Sequence, residues 1–297
     1  MSTLHIIGNG FDLAHKLPTS YWDYYQFLKQ NGEGWFVNMM ENYFDHRPSL
    51  YNHHKQPLNT LWSDLEAALG EYSVDGIYKF LCEGHEFDID HPNLQSDAIE
   101  AELEHHFVKT KEQFQETFTD WCKSINVKTA TKRQFKHFDP NGLFLTFNYS
   151  DTLEQVYGIP SAQILHIHGR SANHNERLII GHNNPANMPN NIKDDFVNHH
   201  KNYKDIVDTI NDLKKDQSSI IQRHNKFFAR LSTIDKVVVY GHSMADVDRP
   251  YFDAVKAHVH PDALWHLSYY CDNERFSKYR LAKQLGLKMK GVPVFRM

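Results

Sequence analysis

The chain has 297 residues, 40% hydrophobic and 23% charged, with a net charge of −5 when histidines are neutral. That length suits one large domain or two modest ones with a substantial core, and the acidic balance disfavours a general nucleic-acid-binding surface. The three cysteines, Cys82, Cys122 and Cys271, form no CxxC pair, which argues against a cysteine zinc site and a disulfide framework and for a reducing compartment.

No apolar window approaches the length of a transmembrane helix, and the opening Met-Ser-Thr-Leu-His has neither the basic nor the apolar region of a secretion signal. A cytoplasmic protein without a membrane partner is expected. The first element is a strand over Leu4 to Gly8, ending in Gly8-Asn9-Gly10 before a helix. Glycines at such a turn let the backbone approach a phosphate, and the helix N-terminus offers free N–H groups. Asp12, just beyond, is either the helix cap or part of a ligand site.

Helical character then dominates residues 20–135. Leu58 to Leu69 and Val74 to Leu81 read as short helices, and Tyr43 to Gln56 as loop. From Asp97 to Val127, Ile99, Leu103, Phe107, Phe114, Phe118, Trp121 and Ile125 recur at steps of three, four or seven, one apolar stripe. The basic run Lys128, Lys132, Arg133 and Lys136 reads as a solvated linker.

A second strand, Leu143 to Phe147, delivers Thr146 and Asn148 to its end, with Ser150 or Asp151 placed to cap the next helix. Asn148 and Asp151 could instead hold ribose hydroxyls or orient a water. Ile164 to Ile167 is a third strand, and alternation sets His166 and His168 on one face. His168, before Gly169, is a candidate general base. Two histidines so spaced could also ligate a metal, but no cysteine or acidic cluster in the adjoining sequence completes a set, and no metal is expected.

Leu178 to Gly181 reads as a further strand, followed by a second helical insertion over residues 192–232 with Ile206, Ile210, Leu213, Ile220, Phe227 and Leu231 on its buried side. Strands return at Val237 to Gly241 and Leu264 to Tyr270. The first of these ends in Gly241-His242-Ser243, a third place for a phosphate or ribose contact. Read differently, GHSMA approximates the nucleophile elbow of serine hydrolases, with Ser243 served by His266 and Asp262 or Asp272. Doubly apolar strands linked by helices predict an α/β fold with a Rossmann-like parallel sheet and large helical insertions.

The stretches "GNGFDLAHKLPTSY", "LTFNYSDTLE", "LHIHG" and "VVYGHSMADVDRPYF", in this order, resemble the AbiH family of bacterial phage defence. More remotely, the same order is similar to sirtuin-like domains, in which a glycine loop cradles NAD and an Asn and a His-Gly pair serve catalysis. That resemblance places Asn148 and His168-Gly169 at the matching positions. It implies a single sirtuin-like domain over residues 1–297 and a nucleotide site including Gly8, Asn9, Gly10, Phe11, Asp12, Thr146, Gly169, Gly241, His242 and Ser243. The zinc ribbon of protein-deacetylating sirtuins is absent, Ser150 stands where sirtuins carry an Asp, and "TSY" replaces their "DFR". The chemistry implied is hydrolysis of NAD, as substrate, to nicotinamide and ADP-ribose, with His168, Asn148 and Asp151 catalytic. A nucleotide- or ADP-ribose-binding module without catalysis is the alternative, and a second copy of the chain or a defence-system partner is left open.

Overall fold

Strands apolar on both faces need helices on both sides, and the three most apolar runs of this chain stand together at the centre of one sheet. The computed structural model describes residues 2–43, 61–62, 65–70, 109–173, 176–183, 211–288 and 294–297. Its strands are β1 (Ser2–Ile7), β2 (Leu143–Thr146), β3 (Ile164–His166), β4 (Ile234–Tyr240), β5 (Leu264–Tyr269) and β6 (Val294–Arg296). They run parallel throughout in the order β3-β2-β1-β4-β5-β6. This is the doubly wound Rossmann order, which reverses direction between β1 and β4. The expected α/β, Rossmann-like class is the observed one.

Alternation along the strands divides the core. Leu4, Ile6, Leu145, Phe147, Val237 and Val239 lie in one cluster with Tyr251, Phe252 and Val255 of the helix Arg249–His258. Ile7, Phe144, Val238 and Tyr240 lie in another with Phe11 and Leu153. Pro250 sits in the first turn of Arg249–His258, where its missing N–H and fixed φ cost least. Asp216 caps the helix Gln217–Arg223, its side chain accepting from Ser219 N at 3.0 Å.

The chain divides into two compact units, one of residues 1–20, 122–179 and 216–297, the other of 21–121 and 180–215. The first contains the sheet. In the second, residues 109–121 are helical and bury Phe114, Phe118 and Trp121 of the expected stripe. Tyr24 meets that stripe, its ring centroid 5.5 Å from Phe118 and 5.2 Å from Trp121. No helix among the described residues is long and apolar enough to cross a membrane.

Three readings of the sequence change. Leu178 to Gly181 is not a strand: Ile179 N donates to His168 O at 2.8 Å, but no ladder follows. Apolar character alone does not supply a neighbouring edge. The short strand β6 was not anticipated, because three residues carry no periodic signal. Of the helix expected over Leu58 to Leu69, Leu65–Ala68 is helical and Leu61 and Trp62 lie in a turn. Val74 to Leu81, the expected loop beyond Tyr43, and the parts 97–108 and 192–210 of the helical stretches lie outside the described residues.

Candidate active site at the carboxyl edge of the sheet

The loops after β1 and β4 meet where the strand order reverses, and they meet backbone to backbone. Gly8 N donates to Tyr240 O at 2.9 Å and Gly10 N to Gly241 O at 2.8 Å. A Cβ on Gly8 would stand 2.6 Å from His242 Cα, and one on Gly10 2.8 Å from Gly241 Cα. Gly241 has φ +58°, and a Cβ there would stand 2.3 Å from Phe11 N. The space these glycines leave open is therefore taken by the neighbouring loop. Asn9 Nδ2 donates to Thr19 O at 2.7 Å, which ties the turn to the chain beyond the helix. Phe11 is fully buried among Phe135, Phe138, Tyr157 and Tyr240, inside the core of the sheet.

Asp12 is not the cap of its helix, Asn9–Ala14; Gly8 holds the capping position. Its carboxyl is buried, and Oδ2 accepts from Ser150 Oγ at 2.5 Å. Ser150 Oγ in turn lies 2.9 Å from Thr152 Oγ1. Burial pushes the Asp12 pKa above the usual carboxylate range, opposed by Ser150, Thr152, the charge of His15 and Asn148, in that order. The other oxygen, Oδ1, has no hydrogen-bond partner.

Asn148 stands one residue past the last ladder bond of β2, where Phe147 N donates to Ile7 O at 2.9 Å. Side chains take over from the sheet here. Asn148 N donates to Thr146 Oγ1 at 3.1 Å, and Asn148 O accepts from His166 Nδ1 at 3.2 Å. The Asn148 amide favours the ionised form of Asp12, yet its Nδ2 is buried and meets no acceptor at hydrogen-bond distance. A donor and an acceptor without a bond of ordinary length thus share the carboxyl edge of β1 and β2, with the Asn148 side chain a weak hydrogen-bond partner of the Asp12 carboxyl.

Asp151 occupies the N-cap position of the helix Thr152–Tyr157 but makes no capping bond. Its Oδ1 accepts from Arg170 Nε at 2.5 Å and its Oδ2 from Gln155 Nε2 at 3.3 Å. Arg170 Nε is also 3.5 Å from Glu154 Oε1, which His166 Nε2 reaches at 3.1 Å. The acids that the sequence did not set beside His166 are therefore present, Glu154 from the helix Thr152–Tyr157 and Asp151 from its N-cap position. Asp151, Glu154 and His166 offer ligand atoms within 4.8 Å of one another, a spacing that a cation could use, and the Arg170 guanidinium already stands against both carboxylates.

His166 and His168 do not share a face as the alternation predicts, because β3 ends at His166. His168 is buried, its ring 5.3 Å from Phe147, 5.5 Å from Tyr251 and 6.4 Å from Tyr149. Gly169 follows with φ +91°, the left-handed turn that directs the chain away. His242 is buried edge-on to Phe147 at 4.3 Å, accepts from Met244 N at 2.9 Å, and places Nε2 3.5 Å from Asp248 Oδ2. Ser243 lacks the surroundings of an activated nucleophile. It is exposed, its Oγ accepts, among the described residues, only from Ala245 N at 3.4 Å, and the positive φ falls on Met244. His266 lies within β5, its ring tilted against His137 at 4.6 Å, and Asp262 pairs with Lys288 at 2.5 Å.

The family model described as bacteriophage abortive infection AbiH matches residues 4–269, from β1 to the last residue of β5. The chain belongs to the AbiH family. Its role is accordingly in bacteriophage abortive infection. No curated protein and no solved structure matches the chain.

In this AbiH chain several residues at the edge carried no sequence signal. Thr152 and Glu154 lie within a recognisable motif and Arg170 directly after one, but they look like ordinary helix and loop residues. Lys278 lies far along the chain on the helix Asp272–Gln284, yet its buried Nζ donates to His242 O and, at 3.1 Å, to Ser243 O. Burial lowers the Lys278 pKa, and the nearby Glu274 charge opposes that. The lysine fixes the β4 loop from beneath by its carbonyls, a long-range contact that no local spacing encodes.

Proposed function

We propose that the chain binds NAD at the carboxyl edge of β1, β2 and β4 and hydrolyses its nicotinamide–ribose bond. One observation carries this reading: the buried Asn148 Nδ2 and Asp12 Oδ1, a donor and an acceptor without a bond of ordinary length, at the switch point of a Rossmann-ordered sheet. A ribose hydroxyl pair needs such a donor and acceptor. The resemblance of Asn148 and His168-Gly169 to the Asn and His-Gly of sirtuin-like domains supports the same assignment.

In the proposed reaction the bond between ribose C1′ and the pyridinium nitrogen breaks, and both electrons leave with nicotinamide. The leaving group departs neutral, so no general acid is required. Positive charge develops on the ribose, as in other glycosidic cleavages. Water then attacks C1′ and loses its proton to His168, giving ADP-ribose. Asn148 orients the ribose or the water. Asp12, whose ionisation a cationic ribose favours, opposes the developing charge, while Asp151 acts through Arg170. Gly8, Asn9, Gly10, Thr146, Gly241, His242 and Ser243 shape the loops around the nucleotide.

The test is chromatography of NAD incubated with the purified wild type and His168→Ala. Nicotinamide and ADP-ribose from the wild type, with the rate lowered about 100-fold or more in the variant, is the expected outcome. Equal turnover by both would remove His168 from the mechanism. A rise in melting temperature with NAD but no product would support the binding-module alternative instead.

A further inference from the structure

Three successive carbonyls of the loop after β4 are tied down. Gly241 O accepts from Gly10 N at 2.8 Å, and Lys278 Nζ donates to His242 O and, at 3.1 Å, to Ser243 O. A primary amine has hydrogens for both bonds whether or not it is protonated. Lys278 is buried and Ser243 exposed, so the loop has a protein side and an open side. In a trans peptide, the form throughout the described residues, C=O and N–H point in opposite directions. The His242–Ser243 peptide turns its carbonyl to the lysine and therefore its N–H, that of Ser243, to the open side. Among the described residues this N–H meets no acceptor, whereas the next one, Met244 N, is taken by His242 Nδ1 at 2.9 Å.

An ionised diphosphate only accepts hydrogen bonds, so it needs amides turned toward it and carbonyls turned away. The glycine turn after β1 has less to offer, because the Gly8 and Gly10 amides already donate to Tyr240 O and Gly241 O. Both ends of the β4 loop, Gly241 and Met244, have positive φ (+58° and +63°), a conformation that a residue such as Met244 keeps only where its surroundings hold it. We infer that Lys278 is a positioning residue: by holding the His242 and Ser243 carbonyls it aims the Ser243 amide at the diphosphate of the bound nucleotide. The inference rests on the NAD reading for what the site holds, and its ligand class is the nucleoside diphosphate, whether or not the glycosidic bond is cleaved.

Calorimetry on the full-length protein with ADP and with adenosine, which lacks the diphosphate, separates positioning from mere support. The wild type should bind ADP more tightly than adenosine. Lys278→Met removes both donors from a side chain of similar volume, and the ADP preference should shrink about tenfold or more while adenosine affinity stays within a few-fold. Lys278→Arg keeps donors for the carbonyls and should keep most of the preference. In NAD hydrolysis Lys278→Met should raise KM and leave kcat nearly unchanged. A purely structural lysine would weaken both ligands alike, and that result, or a wild type without preference for ADP, overturns the inference. Amide NMR of the wild type needs no variant. The Ser243 N–H resonance should shift with ADP and stay in place with adenosine, and a stationary resonance under saturating ADP overturns the inference as well. Loss of the ADP preference in Lys278→Met, with no NAD turnover by the wild type, would sink the hydrolysis reading and leave the diphosphate subsite standing. NAD turnover with equal affinity for ADP and adenosine would do the reverse.

Discussion

Asp12 is a carboxyl held out of water with one oxygen unmet, and both facts cost stability for the sake of the site. Its pKa is raised in the folded state, so its contribution is favourable at low pH and is lost as pH rises through the folded value. Asp12→Asn keeps an acceptor for Ser150 Oγ and removes the buried charge. At pH 7 the variant should unfold at the same or higher denaturant concentration than the wild type, by roughly 1 kcal/mol, while NAD hydrolysis collapses. A clear loss of stability at pH 7 would contradict this account of the residue. The sequence marked Asp12 and Asn148 as edge residues, because each follows a strand and a turn signal. It left Asp12 between cap and ligand site, since its partner Ser150 arrives from the end of another strand.

At the scale of elements, the glycine turns bind two loops to each other, and that claim is testable at single positions. Gly241 and Gly158 both have positive φ, +58° and +69°. A Cβ on Gly158 meets nothing within 4 Å, whereas one on Gly241 would meet Phe11 N at 2.3 Å. Gly158→Ala should cost only about 1–2 kcal/mol of backbone strain. Gly241→Ala should cost clearly more in equilibrium unfolding, because the β1 loop must also move; equal costs would show that the loops are not clamped. Strands of this chain were legible where both faces are apolar, as in Val237 to Tyr240. Leu178 to Gly181 has the same character and fails, since a strand requires an open edge as well as a pattern. The quartet of His166, Arg170, Asp151 and Glu154 was half legible. HxH was visible, but the acids come from a helix whose docking only the fold decides.

At the scale of the whole molecule, the sheet's second face is lined with neutral histidines. His5 and His266 both register with Val238, so they share a row, and the His137 ring lies tilted against His266. Burial is the main cause that lowers His5 and His137 from 6.5 to about 4, and His266 is lowered as well. For a histidine lowered in the folded state, the unfolded chain binds more protons between the two values, and stability falls on acidification. His5 alone accounts for roughly 3 kcal/mol lost between pH 6.5 and 4. His137 is more exposed to solvent screening and adds less. Denaturation followed across that range should show the decline, and His5→Phe, whose ring can stack on Phe138 and Phe144, should flatten it. An unchanged pH slope in the variant would place the acid sensitivity elsewhere. Asp12 works in the opposite direction on acidification, so the net decline is smaller than the histidine contributions together.

The most direct measurement of the central claim compares kcat for nicotinamide release from NAD in Asn148→Ala and Ser243→Ala. The account predicts a loss of about 100-fold or more for Asn148→Ala and near wild-type kcat for Ser243→Ala, whose hydroxyl has no base bonded to it among the described residues. Unchanged release by Asn148→Ala, or abolition by Ser243→Ala, would contradict it.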